Sequence, residues 1–278
     1  MRFSFVIQAC IKKLGSKLDD TVNYWLPIGD EKIHLNPLLG SNVSFEYTGQ
    51  IACTKCSRLT SSSFHQGHCF PCFRSLPECD KCMMRPELCH FAKGTCRDET
   101  WALDNCMKPH YVYLANTSSA KVGITRETQI PTRWIDQGAS FALPIIKVKN
   151  RLFSGLAEIN LAEYISDKTN WRKMLQNDIQ DIDLFALREE ILLKVESKLD
   201  ELRDKHDTDG FEIIKSPELV SINYPVLEYP TKVSSLSFEK KPIITGKLMG
   251  IKGQYLLLDT GVLNIRKHTG YNIIFRVD

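Results

Sequence analysis

The chain has 278 residues, of which 43% are hydrophobic and 25% are charged, and its formal net charge is +3. These values are ordinary for a soluble globular protein, and a charge so close to zero gives no argument of its own for nucleic-acid binding. No stretch approaches the roughly 20 apolar residues that a membrane helix needs, so no membrane partner is expected.

Residues 1–50 are predicted to be rich in β-strands. The first apolar residues occupy alternate positions, namely Phe3, Phe5, Ile7, Ala9 and Ile11. Such alternation is typical of a half-buried strand and argues against an export signal. Residues 23–28 and 43–47 alternate in the same way, so further strands are expected there.

Residues 51–109 form a cysteine-rich module that contains nine of the ten cysteines. A Cys-x-x-Cys turn directs both sulfurs at one metal ion, and two such turns complete a tetrahedral shell. The first two pairs match a zinc-ribbon knuckle and consist of Cys53, Cys56, Cys69 and Cys72. Clustered pairs favour metal in a reducing compartment over a disulfide scaffold, so we expect a cytoplasmic protein.

A second metal site is expected in the same module. The preferred ligands are Cys79, Cys82, Cys96 and Cys106, with Cys89 competing for one of the last two places. His90 and His110 are further candidates as nitrogen ligands. Zinc is the expected occupant of both sites, and an iron–sulfur cluster is the alternative at the second. Closed shells of soft ligands indicate structural metal ions.

Residues 110–180 combine strands with short helices. The pattern predicts a hairpin at 110–115 and 120–125, a short helix after Pro131, a strand near 144–148 and a helix near 154–165.

Two further regions follow. Residues 181–209 carry apolar side chains three or four positions apart, which predicts a long amphipathic helix. Residues 210–278 are again rich in strands, and we expect them to pair with residues 1–50 in a barrel or sandwich.

Five residues in the middle of the chain resemble the core of the GIY-YIG nucleases. They are Tyr113 in the first strand, Lys121 and Gly123 in the second, Arg133 in the short helix and Glu158 in the later helix. The resemblance implies two strands that carry the name motifs, a catalytic arginine, and a glutamate that binds a divalent cation such as Mg²⁺. In such chemistry the cation polarises the phosphate, the arginine meets the developing charge and a tyrosine relays a proton.

The chain departs from that pattern in two ways. Lys121 stands where the second motif has a tyrosine, and the interval from Gly123 to Arg133 is longer than usual. Glu158 is preferred over Glu163 because it shares a helix face with apolar residues, where a carboxylate requires a partner.

Each of these residues also has a structural interpretation. Arg133 could form an ion pair with Asp136 or Glu158, Tyr113 could pack in the core, and Lys121 could be a solvated strand residue.

From about residue 20 to residue 278 the chain also resembles a bacterial family known only as a domain of unknown function. The resemblance rests on residues 66–72, 94–97, 112–116, 121–126, 131–138, 167–172 and 253–256. It implies no activity.

Together these patterns predict an α+β fold in which a zinc-ribbon module lies between a β-rich terminal domain and a small GIY-YIG-like α/β core. The leading hypothesis is a zinc-stabilised nucleic-acid-binding protein, with RNA and DNA both open and Mg²⁺-dependent phosphodiester cleavage as its activity. The alternative is a non-catalytic protein that binds RNA or a protein partner through a degenerate core. Whether the chain is an enzyme is left open.

Overall fold

The computed structural model describes residues 5–278, so Phe3 of the first predicted strand lies outside the described residues. The fold is mixed α+β. In chain order the strands are β1 (Phe5–Cys10), β2 (Gly15–Lys17), β3 (Asn23–Ile28), β4 (Glu31–His34), β5 (Asn42–Ala52), β6 (Leu59–Thr60), β7 (His110–Asn116), β8 (Ala120–Arg126), β9 (Phe141–Val148), β10 (Phe211–Ile213), β11 (Val220–Ser221), β12 (Ser235–Leu236), β13 (Ile243–Lys252), β14 (Tyr255–Leu258), β15 (Gly261–Asn264) and β16 (Tyr271–Val277). The helices are α1 (Phe70–Ser75), α2 (Glu99–Asn105), α3 (Thr132–Asp136), α4 (Arg151–Ala162), α5 (Trp171–Leu175) and α6 (Leu184–His206).

The largest sheet combines strands from both ends of the described chain. Its order is β1–β16–β5–β13–β14–β15–β12, and β6 pairs with β5. Alternate residues of β16 face inward, as period-two burial requires. Phe275 lies opposite Phe45 in the register, and the two ring centroids are 4.6 Å apart. This sheet and the small sheet β2–β3–β4 enclose the first hydrophobic core.

A second sheet has the order β10–β9–β7–β8, with β11 also paired to β9. Its strand β7 lies between β8 and β9 and is antiparallel to both. Successive side chains of a strand point to opposite faces. Val112 and Leu114 therefore pack with α4 and α6 in a second core, whereas Tyr113 and Ala115 pack into the first core.

The cysteine-rich module has almost no apolar interior. It consists of α1, α2, β6 and single turns of 3₁₀ helix. Between residues 53 and 106, the buried residues of apolar type are four cysteines, Ala102 and Pro86. Hydrophobic burial therefore contributes little to the stability of this segment.

Helix α4 begins three residues earlier than the sequence pattern predicts. Asn150 caps it, since the Asn150 side-chain oxygen accepts a hydrogen bond of 3.0 Å from the Phe153 amide. The early start places Arg151 in the first turn, two turns before Glu158 on the same face.

Within residues 5–278, the helices are all too short or too polar to cross a bilayer.

Candidate functional site

The first cysteine quartet lies at the end of β5. Cys53 follows the strand, Cys56 lies in the next turn, Cys69 caps α1 and Cys72 lies within that helix. The four sulfurs are all within 4.8 Å of one another, and those of Cys56 and Cys69 are 3.7 Å apart. Tetrahedral zinc with bonds of about 2.3 Å separates its sulfurs by about 3.8 Å. The quartet therefore fits zinc binding.

The other five cysteines of the module do not all lie together: four line one cavity and the fifth does not. Cys82, Cys89, Cys96 and Cys106 line one small cavity. Cys79 is not part of that lining; burial raises the pKa of Cys79, and Cys53 is the thiol whose charge adds to that shift. Asp80, Cys82 and His90 also bring ligand atoms within 4.8 Å of one another. His110 lies elsewhere, at the cleft described below.

Tyr113 and Gly123 lie directly opposite each other on β7 and β8. A Cβ atom on Gly123 would lie 2.7 Å from the Tyr113 hydroxyl, so only glycine leaves room for the ring. The hydroxyl donates a hydrogen bond of 3.1 Å to Gln137 Oε1, and the ring packs edge-on against Trp134. Burial raises the pKa of Tyr113 to about 12, so the phenol keeps its proton at neutral pH.

Lys121 is buried near the same residues, with 6% of its surface exposed. It is therefore not the solvated strand residue of the structural interpretation. Burial lowers the pKa of Lys121 to about 8, and the charge of Arg133 acts in the same direction. The carboxylates of Glu158 and Asp167 oppose that shift.

Glu158 is half-buried on α4, and among residues 5–278 it has no ion-pair partner within 4.0 Å. Burial raises the pKa of Glu158 to about 7, and the charge of Asp167 raises it further, against the effects of Arg133, Arg151 and Lys121. By contrast, Glu163 is exposed and paired with Lys198. Of these two glutamates, Glu158 is thus the one without an ion-pair partner among residues 5–278.

A basic cleft opens beside these residues, with a volume of about 310 Å³. Its wall includes five cationic residues, Lys13, Arg126, Arg133, Arg151 and Arg266, and two carboxylates, Glu78 and Asp136. Residues 65, 66, 78, 83 and 84 of the cysteine-rich module form part of the same wall. Of the five residues predicted from the GIY-YIG resemblance, Arg133 contributes to this lining.

The arginines of the basic cleft lack carboxylate partners. In the described part of the chain, the arginines that form ion pairs are Arg85, Arg97, Arg188, Arg203 and Arg276. Asp136 instead binds Lys13 Nζ at 2.9 Å and accepts a hydrogen bond from Gln254. The ion pairs proposed for Arg133 in the structural interpretation are therefore not formed.

The charges of the cleft also act on one another. Burial lowers the pKa of Arg151 and of Arg266, and the charge of Arg133 lowers both further. Like charges held this close repel one another unless an anion lies among them. The arrangement suits a phosphate, which arginine binds with two parallel hydrogen bonds.

His110 adds an unused polar atom to the cleft wall. The side chain is fully buried, and its Nδ1 donates to the Lys108 carbonyl at 2.8 Å. Its Nε2 has no hydrogen-bond partner among the described residues. Burial lowers the pKa of His110 to about 4, so Nε2 presents a lone pair at neutral pH.

Arg151 and Arg266 are among the cleft residues that the GIY-YIG resemblance does not predict. Arg151 could have been found, because it lies seven positions before Glu158 and follows the capping residue Asn150. Arg266 lies beyond β15, and only the tertiary fold brings it to Arg133.

A family model for DUF2797, described as a protein of unknown function, matches residues 40–273. The chain belongs to this family. No match was found among curated proteins or among solved structures.

Proposed function

We propose that this member of DUF2797 binds the backbone of a nucleic acid in the basic cleft and hydrolyses a phosphodiester bond beside Glu158 with the help of a divalent cation. One observation carries the proposal. Arg133, Arg151 and Arg266 lie together without carboxylate partners among residues 5–278, next to a half-buried glutamate that is also unpaired.

The binding part of the proposal rests on charge. The whole chain has a formal net charge of +3, whereas the cleft alone brings five cationic residues against two carboxylates. Contacts with phosphates supply most of the affinity of proteins for nucleic acids, and they do not depend on sequence. The zinc quartet supports this role indirectly, because its module forms one wall of the cleft.

The residues around Glu158 also fit a divalent cation. Burial raises the pKa of Glu158, and the negative charge of the exposed Asp167 raises it further, so ionising Glu158 is costly without a cation. A hard cation that prefers oxygen ligands would lower that cost. When bound, it would polarise the scissile phosphate and stabilise the leaving oxygen.

The chain's own residues would perform the remaining steps. Arg133 meets the charge that develops on the phosphoryl oxygens. Lys121 replaces the tyrosine of the second motif, and its lowered pKa leaves a fraction neutral near pH 8. In that form Nζ accepts a proton from the attacking water while the bond from phosphorus to the leaving oxygen breaks. The leaving oxygen takes its proton from solvent.

The test is Mg²⁺-dependent cleavage of a panel of structured and single-stranded RNA and DNA. Arg133→Ala and Glu158→Gln should each lower the cleavage rate by about 10²- to 10³-fold, the usual cost of a lost charge-stabilising group. Glu163→Gln is the matched control, since Glu163 lies just after the same helix and is exposed. Zinc content is checked in every variant.

The outcomes separate the two functional hypotheses. Cleavage that all variants retain would place the activity elsewhere and contradict the proposal. Salt-sensitive binding without cleavage would leave the non-catalytic alternative, which the substitution of Lys121 for tyrosine favours. The panel also distinguishes RNA from DNA as substrate.

A further inference from the structure

Four cysteines surround a cavity in the second half of the module: Cys82, Cys89, Cys96 and Cys106. The cavity measures about 10 Å³, which is close to the volume of one water-sized sphere and too small for an organic ligand. All four cysteines are free of disulfide bonds.

The charges of these thiols act on one another. Burial raises the pKa of Cys82, and the charges of Asp80, Cys89 and Cys106 raise it further. Burial also raises the pKa of Cys106; Arg151 opposes this shift, and Cys89 and Cys96 add to it. The four thiols line one cavity, but no three of their sulfurs lie within 4.8 Å of one another, so a bound ion would draw them closer together.

Asp80 and His90 approach Cys82 but are engaged elsewhere. Asp80 binds Arg97 Nε at 2.8 Å, and His90 Nε2 lies 3.6 Å from the same carboxylate oxygen. The other ring nitrogen of His90 is 2.9 Å from the Thr95 hydroxyl. Asp80 and His90 therefore form a polar border beside the thiols and are held by other partners.

The same thiol cluster is attached to the helix that carries Glu158. The Arg151 amide donates to the Cys106 carbonyl at 2.8 Å, and Arg151 Nη2 donates to the Met83 carbonyl at 2.7 Å. Burial lowers the pKa of Arg151, and the charges of Cys106 and Cys82 oppose that shift. Arg151 therefore connects the thiols with the basic cleft.

A second contact reaches α4 through the loop between Cys82 and Cys89. A Cβ atom on Gly155 would lie 2.6 Å from Pro86 Cβ and 2.7 Å from the Glu87 amide nitrogen. The loop thus packs directly on the helix backbone, one turn before Glu158. Whatever fixes Cys82 and Cys89 also fixes this face of α4.

We propose that Cys82, Cys89, Cys96 and Cys106 bind a second zinc ion, and that this ion holds α4 and Arg151 in position behind the basic cleft. Cys79 is not a ligand of this ion. On binding, the four thiols lose their protons and the thiolates satisfy the tetrahedral shell of the metal. The site does not depend on whether the cleft cleaves nucleic acid.

The test is the metal content of the purified full chain, measured by mass spectrometry of the elements. The native chain should hold close to two zinc ions, and Cys89→Ser and Cys96→Ser should each hold close to one. Cys79→Ser is the matched control, a cysteine of the same module that should keep both ions. Cys56→Ser should lose the first ion and keep the second.

Hydrogen exchange then tests the effect on the helix. In Cys96→Ser the amides of residues 151–162 should exchange faster than in the native chain, while those of β16 should not change. Unchanged exchange in α4 would overturn the positioning role.

Three results would overturn the site itself. These are one zinc ion in the native chain, loss of an ion in Cys79→Ser but not in Cys89→Ser, and the visible absorption of an iron–sulfur cluster.

Discussion

Glu158 bears a charge that its surroundings disfavour. Its carboxylate is half-buried and unpaired in the described part of the chain, and burial raises its pKa to about 7. Such a group destabilises the fold in its ionised form, and proteins keep such groups where function requires them. The sequence predicts this residue because a glutamate interrupts an apolar helix face.

Replacing this carboxylate should therefore stabilise the protein above neutral pH. The pKa of Glu158 is higher in the folded than in the unfolded chain, so the folded state prefers the neutral carboxyl. The stability that this group contributes is therefore fully present below about pH 4.5 and is lost as the pH rises through about 7. Glu158→Gln should raise the free energy of unfolding by about 3 kcal/mol at pH 8 and change it little at pH 4. Thermal unfolding of both proteins without added divalent cations measures this. Equal unfolding temperatures at pH 8 would show that the carboxylate carries no such cost.

Other residues of the site differ in how far the sequence predicts them. The first cysteine quartet is local, because its spacing alone places four sulfurs together. That Arg133 has no ion-pair partner among residues 5–278 cannot be predicted from neighbouring residues in the sequence. It depends on Asp136 being engaged by Lys13 and Gln254, residues more than 100 positions away along the chain.

At the scale of elements, short-range patterns account for β7 and β8 better than for α4. Apolar residues run continuously through β7 and alternate in β8, and Gly123 is explained by the Tyr113 ring opposite it. Apolar periodicity does not locate the start of α4, because its first turn, Arg151 to Phe153, shows little of it. The Asn150 cap was the signal that defined it.

The contact between α4 and the cysteine loop makes Gly155 a sensitive position. Gly155→Ala would drive its Cβ into Pro86 and the Glu87 backbone, so it should destabilise the protein by about 1–3 kcal/mol despite the better helix propensity of alanine. Ile159→Ala, at an exposed position of the same helix, is the control and should cost less. Chemical denaturation compares the two. Greater stability of Gly155→Ala would mean that the loop does not pack on the helix.

At the scale of the whole molecule, two hydrophobic cores lie on either side of the sheet β10–β9–β7–β8. The cysteine-rich module stands outside both, and between residues 53 and 106 it buries little apart from thiols. The sequence indicates which segments are strands and helices. It does not indicate which face of β7 meets which core, because both faces are apolar.

Metal removal should therefore affect the module before the cores. With a strong chelator, limited proteolysis should cut first between residues 53 and 106, while fragments containing β16 and α6 stay resistant. Zinc added back should restore protection. Cys10→Ser lies outside the module and should behave as the native chain does. Simultaneous cutting throughout the chain would show that the module and the cores unfold together.

The position of β16 between β1 and β5 has a consequence for how the protein is made. Arg276 and Glu46 form an ion pair across 230 positions of sequence, whereas the first cysteine quartet spans fewer than twenty. Contacts between distant segments form late, because a long loop must close first. During synthesis the metal-loaded module and the β7–β8 hairpin would leave the ribosome and fold before β16, which pairs with β5, has been made. Until β16 is made, β5 lacks this partner and Phe45 stays exposed to solvent, so a chaperone would be needed most at β5.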